Sequence, residues 1–112
     1  MSLDQTDRLD AELDRVAARL VDTRRDLHRH PELAHQERRT AEVAVERCRE
    51  LGYAVRSGVG GTGVLADIQG SGAGPTVLYR ADMDALPVDE GDGARPARSE
   101  VAGVMHACGH DG

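Results

Sequence analysis

Hydrophobic spacing in the first third of the chain predicts a long amphipathic helix. The apolar positions of this region, spaced three, four or seven residues apart, are Leu9, Leu13, Val16, Leu20 and Leu27. Such spacing places side chains on one stripe of an α-helix. Pro31 disfavours a helical conformation in the residue before it and has no backbone N–H to donate. We therefore predict that this helix ends near His30.

A second helix is predicted from the same periodicity further along the chain. Its apolar positions are Ala41, Ala44, Val45, Cys48 and Leu51. Gly52 follows directly, at the position where a helix commonly needs a left-handed residue to end. The pattern therefore predicts a helix over residues 41–51 that carries Cys48 on its apolar face.

After Gly52 the pattern changes to short apolar runs separated by glycine, which is typical of strands and turns. Three strands are predicted, at residues 53–56, 64–68 and 76–79. The glycine-rich segment 70–75 between the last two is predicted as a hairpin loop. Two helices followed by strands indicate the α/β fold class.

Composition and charge limit the kinds of binding partner and the cellular location that we expect for this chain. The 112 residues contain no Trp or Phe and only two Tyr, so Leu, Val and Ala would have to supply most of a single core. A formal net charge of −6 disfavours nucleic acid and membrane surfaces as partners. No secretory signal or membrane-length apolar segment is visible, and two cysteines in such a chain are expected to be thiols. We expect a cytoplasmic protein.

A glycine motif in the middle of the chain has the form of a nucleotide-binding fingerprint. Residues 58–63 match the spacing G-x-G-x-x-G. A dinucleotide site requires a helix to begin at the third glycine, so that its N-terminus faces the pyrophosphate. Residues 64–68 are instead predicted as a strand. The motif is therefore expected to be a flexible turn between two strands.

The strongest candidate for chemistry is a cluster near residue 110. His106, Cys108 and His110 recur at every second residue, and Asp111 follows them. In an extended segment this spacing points the three side chains to one side. Imidazole and thiolate suit borderline metals such as zinc, cobalt and nickel, and Asp111 could orient an imidazole. The cluster is too short to close a structural site by itself, and a surface loop without metal remains open on spacing alone.

A second candidate cluster follows the third predicted strand. Arg80, Asp82 and Asp84 would lie at the carboxyl end of that strand, where active sites of open α/β sheets gather. Two acidic residues after a strand also form turns, and that alternative stays open.

Four segments taken in order resemble a known family. They are residues 25–33 (RDLHRHPEL), 61–64 (GTGV), 80–87 (RADMDALP) and 104–112 (VMHACGHDG). This order closely resembles the N-terminal segment of the aminoacylase, hippurate hydrolase and indoleacetyl-amino-acid hydrolase family of dinuclear metallo-amidohydrolases. The resemblance implies that residues 1–112 are the first part of a zinc-exopeptidase-like α/β catalytic domain, without the lid domain and the C-terminal part.

The resemblance also implies roles for individual residues. Cys108 and His110 match metal ligands of the family, with Cys108 shared between two metal ions as a thiolate. His106 belongs to the motif but is not a usual ligand. Asp82 matches an aspartate that related enzymes place behind the metal site, which implies a catalytic role in orienting a ligand.

The implied reaction is hydrolysis of the amide bond of an N-acyl amino acid, with zinc, manganese, cobalt or nickel as the cofactor. The glutamate base and the remaining ligands of the family have no match in this sequence. We therefore expect a truncated and inactive fragment. Two alternatives remain: a thiol and metal-binding module that is not an enzyme, and one half of a split enzyme that a complementing chain completes.

Overall fold

The computed structural model describes residues 2–111, apart from the side chain of Leu3. In chain order, its elements are helix α1 (Leu3–Arg29), helix α2 (Arg38–Glu50), strand β1 (Ala54–Val59), strand β2 (Gly63–Asp67) and a 3-10 turn (Gly109–Asp111). The predicted α/β class, with two helices followed by strands, is confirmed. Gly112, the last residue of the predicted ligand motif, lies outside the described residues.

Helix α1 begins earlier than its apolar stripe predicts. Ser2 and Gln5 form a capping box, in which the Gln5 N–H donates to the Ser2 hydroxyl oxygen at 3.3 Å and the Ser2 N–H donates to the Gln5 side chain at 3.0 Å. The helix ends at Arg29, as Pro31 predicts. The stripe is only partly covered, since Leu9, Leu13 and Leu20 remain about half exposed.

Helix α2 is capped at its start by a side chain from outside the helix. The N–H groups of Arg39 and Thr40 donate to the Glu32 carboxylate at 3.1 and 2.7 Å. Burial alone would raise the pKa of Glu32, but the hydrogen bonds from Thr40, Arg39 and Arg38 outweigh it and hold the pKa below its usual range. Glu32 therefore supplies the N-terminal acceptor that Glu37, the residue before the helix, does not provide.

The end of α2 is the predicted glycine cap. Gly52 adopts φ +87°, its N–H donates to the Arg49 carbonyl, and the Tyr53 N–H donates to the Cys48 carbonyl, both at 3.0 Å. These two bonds define a Schellman motif, which requires a left-handed residue after the helix. The predicted role of Gly52 is confirmed.

Strands β1 and β2 form an antiparallel hairpin. The pairing runs from Ala54 with Asp67 to Val59 with Gly63, with an irregularity between Ser57 and Val59. Gly63 opens a strand and not a helix, so the glycine motif is a turn between two strands, as predicted. The geometry that a dinucleotide site needs is therefore not present at this turn.

The prediction of a third strand at residues 76–79 is wrong. This segment belongs to no strand, and the exposed fractions of Val77, Leu78 and Tyr79 are 86%, 85% and 90%. A strand is stabilised by backbone hydrogen bonds to a neighbouring strand, and the described part of the chain places none beside it. The glycine-rich segment 70–75 is consequently not a hairpin loop.

The core is small and partly polar. Its buried apolar residues are Ala41, Ala85 and Ala97, and its buried polar residues are His28, Glu37 and Thr40. Of the predicted core-forming types, only Ala is buried, whereas several larger apolar side chains, among them Leu9, Leu20 and Leu51, remain exposed. No helix in the described part of the chain is long and apolar enough to cross a membrane.

Candidate metal centre

Segments that are distant in sequence meet around Ala85, which is 2% exposed. The Ala85 N–H donates to the Glu32 carbonyl at 2.8 Å. Leu86 and Met105 exchange two backbone hydrogen bonds of 2.9 and 3.0 Å. These bonds join residues 80–87 to the segment before α2 and to the loop at residues 106–111, which we call the ligand loop.

This packing brings Asp82 to His110. Nδ1 of His110 lies 2.9 Å from Oδ2 of Asp82, and the Arg80 guanidinium lies 2.7 Å from the other Asp82 oxygen. Because an ionised carboxylate only accepts hydrogen bonds, Nδ1 of His110 carries the proton. Nε2 of His110 is then a free lone pair, and the His110 side chain is 72% exposed. Asp82 therefore holds His110 with Nε2 free, which is one of the two nitrogens through which an imidazole can bind a metal.

Cys108 lies in a tight turn beside His110. Its N–H donates to Oδ2 of Asp111 at 3.1 Å, and the Asp111 N–H donates to the Cys108 carbonyl at 3.1 Å. Cys108 is a free, exposed cysteine. Asp111 therefore closes the turn at Cys108, and the carboxylate that orients His110 is Asp82.

His106 does not share the side of the loop that the spacing predicts. Its side chain is 12% exposed, whereas that of His110 is 72% exposed. The ring of His106 faces inward and lies 6.5 Å, centroid to centroid, from the ring of His28. The prediction that His106, Cys108 and His110 point to one side is wrong for His106, because alternation holds only in extended backbone and the ligand loop turns.

The side-chain donors at this site are of types that bind metals, but there are too few of them to complete a metal site. Thiolate and imidazole are ligands for zinc and its neighbours, and Cys108 and His110 are both accessible. Within residues 2–111, no three His, Cys, Asp or Glu side chains are grouped so that they could hold a metal ion. A complete site would need donors from beyond these residues.

A buried acid and base pair that no sequence motif indicated lies next to the ligand loop. Nε2 of His28 lies 3.0 Å from Oε1 of Glu90, and the two side chains are 7% and 5% exposed. Glu90 also accepts the Ser99 N–H at 2.5 Å and an Arg95 N–H at 2.9 Å. The Ser99 N–H, followed by His28, lowers the pKa of Glu90 to about 2. No local pattern could indicate this pair, because 62 residues separate its members.

A groove of the described residues lies away from the candidate site. It has a volume of about 780 Å³ and runs between α2 and the hairpin, where Arg38, Glu46 and Arg49 contribute to its walls. None of the predicted site residues lines it. The groove therefore does not define the candidate site.

The sequence of this chain is similar to those of known proteins. The family model for "Peptidase family M20/M25/M40" matches residues 78–112. A putative amidohydrolase of Bacillus subtilis, YhaA, is 50% identical over 105 residues, which are 93% of this chain and 26% of that protein. An N-acyl-L-amino acid amidohydrolase of Geobacillus stearothermophilus is 43% identical over 100 residues, which are 89% of this chain and 27% of that protein.

A solved structure extends the agreement to the fold. The Bacillus subtilis YXEP protein, described as a dinuclear metal binding peptidase from the M20 family, superimposes with a TM-score of 0.72 at 45% sequence identity. The match covers 84% of this chain and 26% of that one. This chain therefore spans about a quarter of the length of the relatives it matches. The two helices and the following strands form an incomplete portion of a zinc-exopeptidase-like catalytic domain. As the order of its motifs predicts, the chain is related to the dinuclear metallo-amidohydrolases of peptidase family M20/M25/M40.

Proposed function

We propose that this chain supplies part of the active site of a metal-dependent amidohydrolase that cleaves the amide bond of N-acyl amino acids. The observation that carries the proposal is the 2.9 Å contact between Asp82 and His110, because it frees Nε2 of an exposed imidazole beside an exposed thiol. The relatives named as amidohydrolases support the reaction class.

Each site residue has a separate role in this proposal. His110 would hold a divalent metal through Nε2, and Cys108 would hold metal as a thiolate. Asp82 orients His110 and touches no substrate. The metal pair, when bound, would supply Lewis-acid activation of the amide carbonyl. Two metals per site are supported by the similarity to the YXEP protein, which is a dinuclear metal binding peptidase.

Further polypeptide has to complete the site. Two donors do not close a metal site, and a glutamate base has no match in the chain. The exposed segment 77–79 supports this view, since its strand-type sequence lies unpaired and leads directly to Asp82. We propose that a complementing polypeptide, of the kind that forms the other three quarters of the relatives, pairs with this segment and brings the missing ligands.

Cobalt titration of the purified chain tests the ligand assignment. A thiolate bound to cobalt gives a charge-transfer absorption band in the near ultraviolet, so this band should appear on titration and should be absent in Cys108→Ala. The matched control is Cys48→Ala, which removes the other cysteine and should keep the band. Absence of the band in the unmodified chain, or its persistence in Cys108→Ala, would contradict the assignment.

A hydrolysis assay tests the activity. The chain alone should not hydrolyse N-acetyl amino acids with added zinc, manganese or cobalt. Addition of the remaining three quarters of the Bacillus subtilis amidohydrolase should restore metal-dependent hydrolysis, and Cys108→Ala should abolish it. Turnover by the chain alone would show that no complement is needed.

The second candidate function is a thiol and metal-binding module that is not an enzyme. The strength of cobalt binding distinguishes this module from the amidohydrolase. A self-sufficient module would bind cobalt tightly and in stoichiometric amount. Two protein donors should bind cobalt weakly, with the affinity rising when the complementing polypeptide is added. Tight binding by the chain alone would favour the module.

A further inference from the structure

We propose that His28 is a positioning residue for the ligand loop: its ring, held by Glu90, supports the ring of His106 and thereby fixes the loop that carries Cys108 and His110. The inference rests on the proposed function only in treating that loop as the bearer of metal ligands. It assigns a role to a buried cluster that the metal ligands themselves do not include.

The first step is that His28 cannot turn freely. Its side chain lies in the last turn of α1, is 7% exposed, and is bonded through Nε2 to Glu90. Glu90 is itself held by the Ser99 N–H and by Arg95. A buried carboxylate that accepts three hydrogen bonds is held in place, and it in turn restrains the ring of His28.

The second step is that His106 depends on His28 for its orientation. Nε2 of His106 is buried and has no hydrogen-bond partner among residues 2–111. Nδ1 of His106 lies 3.8 Å from Oδ1 of Asp111, beyond hydrogen-bond range. The two imidazole rings are tilted by 39° at a centroid distance of 6.5 Å. With no hydrogen bond from the described residues to hold it, the His106 ring depends on packing, and the His28 ring is an aromatic neighbour that supplies part of that packing.

The third step is that the same end of α1 holds the chain that enters the ligand loop. The Glu100 N–H donates to the Arg29 carbonyl at 2.9 Å. The Ser99 hydroxyl lies 2.6 Å from the Val104 carbonyl oxygen, two residues before His106. Ser99 is also the residue whose N–H binds Glu90. Backbone and side-chain contacts thus converge on one cluster, and release of His28 should loosen the loop.

Histidine tautomers measured by NMR test the coupling without any metal. In the unmodified chain, His110 should be in the Nδ1–H form, because Asp82 accepts that proton. In His28→Ala the loosened loop should let His110 exchange toward the Nε2–H form that a free imidazole prefers. His28→Gln, whose amide can still donate to Glu90, should restore part of the Nδ1–H population.

Cobalt binding gives a second readout on the same variants. Removal of a residue that orients a metal ligand typically lowers metal affinity about tenfold or more. We therefore expect His28→Ala to weaken cobalt binding by about tenfold. The control is His35→Asn, which removes an exposed imidazole at a residue with φ +65° that Asn tolerates. This control should leave both the tautomer and the cobalt affinity unchanged.

The outcomes separate this inference from the proposed function. If His28→Ala keeps the His110 tautomer and the cobalt affinity of the unmodified chain, His28 has only a structural role and the inference is overturned. If circular dichroism shows His28→Ala unfolded, Glu90→Gln replaces it and is judged by the same two readouts. If Cys108→Ala keeps the cobalt band, the proposed function fails, while the tautomer measurement still decides the role of His28.

Discussion

The Asp82 carboxylate meets the His110 ring at 2.9 Å across 28 residues of sequence. A carboxylate behind an imidazole raises the basicity of the ring and fixes which nitrogen is free. Arg80 contacts the second Asp82 oxygen, which holds the carboxylate in place. The contact leaves Nε2 of a solvent-exposed histidine free.

Replacement of Asp82 tests this contact directly. Asp82→Asn removes the negative charge behind His110, and we expect cobalt affinity to fall by about 10-fold to 100-fold. The affinity is measured by absorption titration. Asp92→Asn, at an exposed loop position, is the matched control and should bind cobalt like the unmodified chain. Equal affinities in the two variants would contradict a role for Asp82.

Acid stability should depend on Glu90. Its pKa of about 2 in the folded chain lies below the usual value of 4.5, so the ionised form favours folding. This stabilisation is complete above about pH 4.5 and is lost as the pH falls toward 2. Glu90→Gln should therefore be less stable than the unmodified chain at neutral pH, with a difference that shrinks as the medium becomes more acidic. Urea denaturation at several pH values measures the difference; parallel pH curves would refute the prediction.

The hairpin should be sensitive to a single methyl group at its turn. A Cβ at Gly63 would lie inside van der Waals contact of the Val59 carbonyl oxygen, which is backbone and cannot move aside. We expect Gly63→Ala to cost about 1–3 kcal/mol of unfolding free energy, as overpacking does. Gly72→Ala, where a Cβ meets nothing within 4 Å, should change it by less than about 0.5 kcal/mol. Similar values for both variants would show that the turn relaxes.

Substitutions at one exposed and one buried position test whether the segment before Asp82 is unpaired in solution. Leu78 is 85% exposed, so Leu78→Asp should change the unfolding free energy by less than about 0.5 kcal/mol. Ala85 is 2% exposed, so Ala85→Asp buries an unpaired charge and should cost on the order of 3 kcal/mol. Thermal or urea denaturation measures both. A large loss in Leu78→Asp would mean that the segment is already packed in solution.

Local patterns predicted the helices well but misplaced the third strand. The apolar stripe and Pro31 indicated the body and the end of α1, while the capping box at Ser2 and Gln5 was present in the sequence and overlooked. Residues 76–79 have the composition of a strand, yet a strand also needs a neighbour, and composition carries no information about one. The prediction therefore failed at this segment because no neighbouring strand among the described residues pairs with it, and not because its residues disfavour a strand.

The amino-acid sequence was enough to predict the two helices, the glycine turn and the family. These follow from periodicity, from turn chemistry and from the order of short motifs, all of which are local. Only the packed chain shows that Asp82 and not Asp111 orients His110, that His106 faces inward, and that Glu90 holds His28. The reason is physical: these contacts join residues far apart in the chain, and their formation depends on how backbone segments pack around Ala85.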